Sequence, residues 1–86
     1  MDSHHRATVA KIFGHPVSHN LQWHDVVSLL ESAGTVIKEH DGRYKVKLGS
    51  ETRTFDPPRH GSLDEQQVID IRRMLREAGL APDTEH

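Results

Sequence analysis

The sequence contains no cysteine, few aromatic residues and no long apolar segment, and each of these absences limits what the protein can be. Without cysteine no disulfide can stabilise the chain, which is typical of proteins in a reducing compartment. No apolar run approaches the roughly 18 residues of a membrane-spanning helix. Residues 1–6 lack the apolar stretch of a signal peptide. We therefore expect a cytoplasmic protein with no membrane association and no cofactor.

The size and charge of the chain limit it further. Its 86 residues allow one domain, and with 34% hydrophobic and 5% aromatic residues the core must be small. The net charge of −2 does not indicate nucleic-acid binding, but the charges are unevenly distributed. Residues 35–60 hold six basic and four acidic side chains, whereas residues 61–86 hold three basic and six acidic ones.

Two helical segments precede the basic region. Residues 1–20 form an N-terminal extension in which residues 6–13 predict a short helix, ended by Gly14-His15-Pro16. A clearer helix follows, with Asn20 as a candidate cap and Gly34 as a C-terminal glycine of positive φ. Its apolar stripe consists of Trp23, Val26, Val27, Leu30 and Ala33, at the 3.6-residue period of a helix.

The pattern then changes to the two-residue period of a strand. Residues 35–40 predict a first strand, and Asp41-Gly42 predicts a two-residue type I′ turn. Residues 43–48 alternate strictly, with Arg43, Lys45 and Lys47 on one face and Tyr44, Val46 and Leu48 on the other. Gly49-Ser50 predicts a second tight turn, and residues 51–55 form a third strand that Asp56-Pro57-Pro58 ends.

The last element is a helix with a capping-box sequence, in which Ser62 is the predicted N-cap and Glu65 its partner three residues on. Gly79 is the predicted C-terminal stop, and residues 82–86 are a flexible tail. The order within residues 21–81 is α-β-β-β-α. The sequence therefore predicts an α+β fold of two layers, in which a three-stranded antiparallel sheet has two helices on one face and the other face open.

An ordered set of residues within positions 12–82 resembles a branch of the HicA toxin family. The set comprises Ile12-Phe13, Pro16-Val17-Ser18, Asn20, Trp23, Asp25-Val26, Leu29-Leu30, Asp41-Gly42-Arg43, Phe55, Pro58, Val68, Arg72-Arg73, Leu75 and Ala78-Gly79. The resemblance implies a fold similar to a double-stranded-RNA-binding domain. It also implies an RNA ligand, and a protein partner similar to the HicB antitoxin that neutralises these RNA-cleaving toxins.

The chain departs from that family at its catalytic position. The best-known members carry a Gly-Ser-His motif at the hairpin, whereas the corresponding residues here are Gly42-Arg43-Tyr44. His40 precedes the turn and His60 lies in the loop after the third strand, and neither matches the motif. The nuclease role of the family therefore does not transfer to this chain residue by residue.

The basic strand is the first candidate site. Side chains at i and i+2 of a strand lie about 6.6 Å apart, close to the phosphate spacing along a nucleic-acid strand. Arg43, Lys45 and Lys47 could therefore contact an RNA backbone, with Lys38 and Arg53 widening the row from the flanking strands. The alternative is a solvated sheet face whose lysines prevent aggregation.

The loop 56–62 is the second candidate site. It leads into a helix N-terminus, which favours anions, and Arg59 could add a phosphate contact. His60 is a candidate general acid or base, so a metal-independent endoribonuclease remains open. The alternative is a rigid turn with an ordinary helix cap.

Two further groups of residues have simpler interpretations. His15, His19 and His24 follow an H-x3-H-x4-H spacing, but Pro16 interrupts it, and we expect surface histidines rather than a metal site. The three arginines of the last helix, Arg72, Arg73 and Arg76, predict a charged, solvated face.

Three functions remain open on the sequence. The first is an RNA-binding protein that resembles HicA, and the second is an active mRNA interferase neutralised by a HicB-like antitoxin. The third is a non-catalytic adaptor that docks on another protein.

Overall fold

The structure is a computed structural model that describes residues 3–14 and 21–81. Its elements are α1 (Ser3–Phe13), α2 (Trp23–Ala33), β1 (Thr35–Lys38), β2 (Tyr44–Leu48), β3 (Glu51–Phe55) and α3 (Glu65–Glu77). The predicted α+β fold and its α-β-β-β-α order, preceded by a helix, are confirmed. The predicted cap Asn20 and the tail 82–86 lie outside the described residues. None of the described helices is long and apolar enough to cross a membrane.

The sheet has helices on one face only. The strands pair antiparallel in the order β1-β2-β3, with α2 packed on β1 and β2 and α3 packed on β3. Val46 and Leu48 of the central strand are buried beneath these helices, as the alternation predicts. Trp23 anchors α2 through an edge-on contact with Tyr44, whose ring centroid lies 5.3 Å away, and a tilted contact with Phe55.

The N-terminal helix is part of the core and not only an extension of it. It begins at Ser3, three residues before the predicted start, and packs on α2 and α3. Ile12 is fully buried and Phe13 nearly so, and both belong to the apolar core cluster of the described residues.

Arg72 is the residue whose environment differs most from the prediction. Instead of lying on a solvated face it is 8% exposed. Its Nε donates to the carbonyl of Ile12, and a terminal N–H donates to the carbonyl of Gly14 at 2.8 Å. These carbonyls belong to the end of α1, where helical oxygens lack partners and the dipole favours a cation. Arg72 therefore attaches α1 to α3.

The hairpin between β1 and β2 is not the predicted type I′ turn. Its loop has three residues, since the Glu39 N–H donates to the Arg43 carbonyl and the Gly42 N–H donates to the Glu39 carbonyl. Gly42 has a φ of 91°, but Asp41 does not have the positive φ that type I′ requires. This is a type I turn followed by a left-handed glycine, which forms a bulge. The Asp41 carboxylate stabilises it by accepting from the Arg43 N–H.

The start of α3 and the end of α2 differ from their predictions, whereas the end of α3 agrees with its prediction. The capping box of α3 uses Asp64 and Gln67 instead of Ser62 and Glu65, because Ser62 pairs with Gln22 in an isolated antiparallel bridge and its hydroxyl accepts from the Gln22 side chain. Gly79 has the predicted positive φ, 77°, in a Schellman ending. Gly34 does not, since its φ is −163°.

Candidate nucleic-acid interface

The sheet register determines which side chains lie on the open face. Lys45 and Lys47 are on this face of the central strand, and their Cα partners on both neighbouring strands are on the same face. The open face, as we use the term, consists of Thr35, Ile37, Lys45, Lys47, Thr52 and Thr54. It combines two ammonium groups, three hydroxyls and one apolar side chain, and none of these six residues is acidic.

The two lysines of the open face are available to a ligand. Lys47 is exposed and Lys45 is half-buried. Neither ammonium forms an ion pair or hydrogen bond with any other residue in the described part of the chain. Ile37, which is 46% exposed, is the one large apolar side chain exposed among the described residues.

Lys38 and Arg53, predicted to widen the basic row, lie on the opposite face of the sheet. Lys38 pairs with Tyr44 and Arg53 with Val46, so both share the helix-covered face. The Lys38 ammonium lies 6.0 Å from the centre of the Tyr44 ring. Arg53 donates to both carboxylate oxygens of Glu77 on α3, each at 3.3 Å. These two cations therefore do not extend the open face.

Arg43 lies at the hairpin end of the basic row and is paired with two carboxylates. Its Nε is 3.6 Å from an Asp41 oxygen and 3.3 Å from an Asp56 oxygen. All three side chains are largely exposed, so this pairing is screened and each contact is weak. The local charge is nonetheless negative, which leaves Lys45 and Lys47 as the unpaired cations of the row.

The loop after β3 borders a cleft of about 370 Å³. Residues 57–60, Ser62, Asp64 and Gln67 line it. Arg59 and His60 are exposed there. The Arg43–Asp56 ion pair joins this loop to the hairpin that carries His40, so the predicted residues of both loops lie at the same end of the sheet.

The N-terminus of α3 does not match the predicted anion site. The Asp64 carboxylate already accepts from the Gln67 N–H at 2.8 Å, and the Gln67 side chain accepts from the Asp64 N–H at 3.0 Å. An anion at this position would meet a carboxylate. A phosphate in this region is therefore better placed against Arg59 and His60 at the rim of the cleft.

The histidines of the helical layer contact acidic or hydroxyl groups. Nε2 of His4 lies 3.1 Å, and Nε2 of His24 3.3 Å, from the same Asp25 oxygen. Within residues 3–14 and 21–81, no three His, Cys, Asp or Glu side chains are arranged to hold a metal ion. His15 and His19 of the H-x3-H-x4-H spacing lie outside those ranges.

Sequence reasoning missed the threonines and Ile37 of the open face. The signal for Thr52 and Thr54 was present, because the Gly49-Ser50 turn places them opposite Lys47 and Lys45. The signal for Thr35 and Ile37 was absent, because the predicted Asp41-Gly42 turn would place Val36 and Lys38 there instead. Selecting positive side chains by charge alone found Lys38 and Arg53 instead.

Comparison with known proteins gives no further guide to this site: no protein family, no curated protein and no solved structure matches the chain. The resemblance to HicA consequently stays a prediction based on the residues quoted above.

Proposed function

We propose that this protein is a small RNA-binding protein, similar to the HicA family, that contacts the RNA backbone with the open face. The observation that carries the proposal is the composition of that face. Two unpaired ammonium groups and three hydroxyls are grouped there without a carboxylate, in a chain whose net charge is −2. Ammonium and hydroxyl groups are the usual donors to phosphate and ribose oxygens.

The geometry of the two lysines supports the same ligand. Lys45 and Lys47 are two residues apart on one strand, which separates their attachment points by roughly 6.6 Å. That separation is close to the distance between successive phosphates, so the lysines can contact neighbouring phosphates of one strand. Contacts of this kind give affinity and salt dependence without base selection.

The proposal predicts that the double variant Lys45→Glu, Lys47→Glu binds RNA at least 10-fold more weakly than the wild type. Replacing two phosphate contacts with repulsion should also lower the slope of log affinity against log salt by about 1.4, at roughly 0.7 per contact with a single strand. Fluorescence anisotropy of a labelled RNA over a salt series measures both quantities.

The matched control is Lys11→Glu with Arg73→Glu, which changes the net charge equally on exposed positions of α1 and α3. Its affinity should stay within about 3-fold of the wild type at physiological salt, where screening limits the effect of distant charges. Equal losses in both variants would mean that net charge, and not the open face, governs binding. No RNA binding by the wild type at low salt would refute the proposal and favour a protein-docking adaptor, with a HicB-like protein as its first candidate partner.

A second function, RNA cleavage, is favoured by the junction of the two loops at the Arg43–Asp56 pair. Metal-independent cleavage needs a base for the 2′-hydroxyl, an acid for the leaving oxygen and a cation for the phosphorane. His40, His60, Arg43 and Arg59 supply these groups from the hairpin and from the loop that it contacts.

If the protein cleaves RNA, His60→Ala should slow cleavage by about 100-fold, the usual effect of losing a general acid or base. Gel analysis of end-labelled RNA measures the rate at saturating protein, so that a change in RNA affinity does not affect the result. His24→Ala, an exposed histidine on α2, is the control and should cleave normally. Cleavage that persists in His60→Ala would assign the chemistry elsewhere, and no cleavage by the wild type would leave binding as the function.

A further inference from the structure

The wall of the cleft beside α3 is held rigid by hydrogen bonds. The Gln67 side chain is fixed at both ends, since its oxygen accepts from the Asp64 N–H and its amide donates to the Asp56 carbonyl at 3.0 Å. The Ser62 hydroxyl accepts from the Gln22 side chain at 2.9 Å. Pro57 and Pro58 restrict the backbone of the opposite wall. The shape of the cleft therefore does not depend on a ligand.

The cleft offers a ligand one hydrogen-bond acceptor on its wall and donors at its rim. One Asp64 oxygen accepts from the Gln67 N–H, and the second oxygen has no partner among the described residues. An ionised carboxylate accepts hydrogen bonds and donates none. The wall thus presents an acceptor, whereas the exposed Arg59 presents donors and a positive charge at the rim, beside the exposed imidazole of His60.

We propose that this cleft binds one guanine nucleotide of the RNA that lies on the open face. Guanine places two adjacent donors, N1–H and the N2 amino group, on one edge. The Asp64 oxygen without a partner can accept from one of them, and the oxygen that accepts from the Gln67 N–H keeps a second lone pair for the other. Uracil presents a single donor between two acceptors, and adenine and cytosine present one donor beside an acceptor, so each faces repulsion or a poorer match. The prolines offer a flat apolar surface to the base, and Arg59 contacts its phosphate.

The size and position of the cleft agree with this ligand. A volume of about 370 Å³ falls in the range of small-molecule sites and accommodates one nucleotide. The cleft lies at the end of the sheet where the lysine row ends, because Asp56 precedes the lining residues 57–60 and its carboxylate contacts Arg43. The inference that the base belongs to a bound RNA rests on the proposed function. The inference that the cleft binds an isolated guanine nucleotide is independent of that function.

The test is a titration of the full chain with guanosine, adenosine, cytidine and uridine 3′-monophosphates, followed by NMR chemical shifts. Guanosine monophosphate should bind at least about 10-fold more tightly than uridine monophosphate, as expected for one bidentate base contact. The largest shifts should fall on residues 57–67. Equal binding of all four nucleotides, shifts elsewhere, or no binding would each overturn the proposal.

Asp64→Asn is the decisive variant because asparagine is as good an N-cap as aspartate, so α3 keeps its start. It should reduce the preference for guanosine monophosphate to less than 3-fold while circular dichroism stays unchanged. A preference that survives in Asp64→Asn would overturn the assignment of the carboxylate. Lys45→Glu with Lys47→Glu should bind guanosine monophosphate as the wild type does. If guanosine monophosphate binds the cleft but Lys45→Glu with Lys47→Glu binds RNA as tightly as the wild type, the proposed function is refuted and the guanine site is not.

Discussion

Replacing Arg72 with methionine should lower the free energy of unfolding by about 3 kcal/mol, because it removes two charged N–H donors from the carbonyls at the end of α1, one buried and one partly buried. The methionine retains an apolar stem of similar length, so the loss of packing is small. The Ile12 and Gly14 carbonyls would then lie at the end of α1 without their partner. In a small domain this is a large part of the total stability. In urea unfolding, this loss of stability should lower the midpoint concentration and leave the dependence of the unfolding free energy on urea unchanged.

The control for this prediction is Arg73→Met, the neighbouring and exposed arginine of α3. It removes the same charge and should change stability by less than about 0.5 kcal/mol. Hydrogen exchange in Arg72→Met should show the amides of α1 exposed earlier than those of β2. Equal stability of the two variants would mean that α1 is held by Ile12 and Phe13 alone.

The sequence patterns predicted the elements and the layers correctly, since both depend on local periodicity. The 3.6-residue spacing from Trp23 to Leu30 and the strict alternation from Arg43 to Leu48 each report which face of an element is buried. The sharp stops at Gly79 and Pro57-Pro58 depend on backbone chemistry that single residues determine. Neither kind of signal needs knowledge of distant contacts.

The side of the sheet on which Lys38 and Arg53 lie depends on the two turns that join the strands. A two-residue turn at Asp41-Gly42 would pair Lys38 with Lys45 and put both on the open face. The three-residue loop pairs Lys38 with Tyr44, and this shift of one residue moves Lys38 to the helix side. The Gly49-Ser50 turn was predicted correctly, and its register already places Arg53 beside Val46.

The candidate site combines residues that are distant in sequence, which explains why only parts of it were predictable. The alternation identified Lys45 and Lys47, and the helix start near residue 62 identified the loop of Arg59 and His60. The capping box could not be placed, because Ser62 and Asp64 are both good caps. The choice between them depends on the pairing of residues 61–63 with residues 21–23, a contact across about half the chain.

Gly34→Ala should destabilise the protein by about 3 kcal/mol or more, the upper range for a side chain forced into a packed site. A Cβ on Gly34 would lie 2.1 Å from the Lys47 carbonyl oxygen and 2.8 Å from a Leu48 methyl. The first contact is with backbone of the central strand, which cannot move without disturbing its pairs on both sides. The sequence predicted a glycine here for its positive φ. The structure instead requires a residue without a Cβ, because α2 ends against β2.

Gly42→Ala is the matched control, because Gly42 has space for a Cβ but a backbone conformation that alanine rarely adopts. Nothing lies within 4 Å of a Cβ at Gly42, but its φ of 91° is unfavourable for alanine. The cost should be about 1 kcal/mol, the usual penalty for a single residue in a left-handed conformation. Urea unfolding should therefore rank the stabilities as wild type, Gly42→Ala and Gly34→Ala, from highest to lowest. If Gly34→Ala were as stable as Gly42→Ala, the end of α2 could not lie as close to β2 as the fold requires.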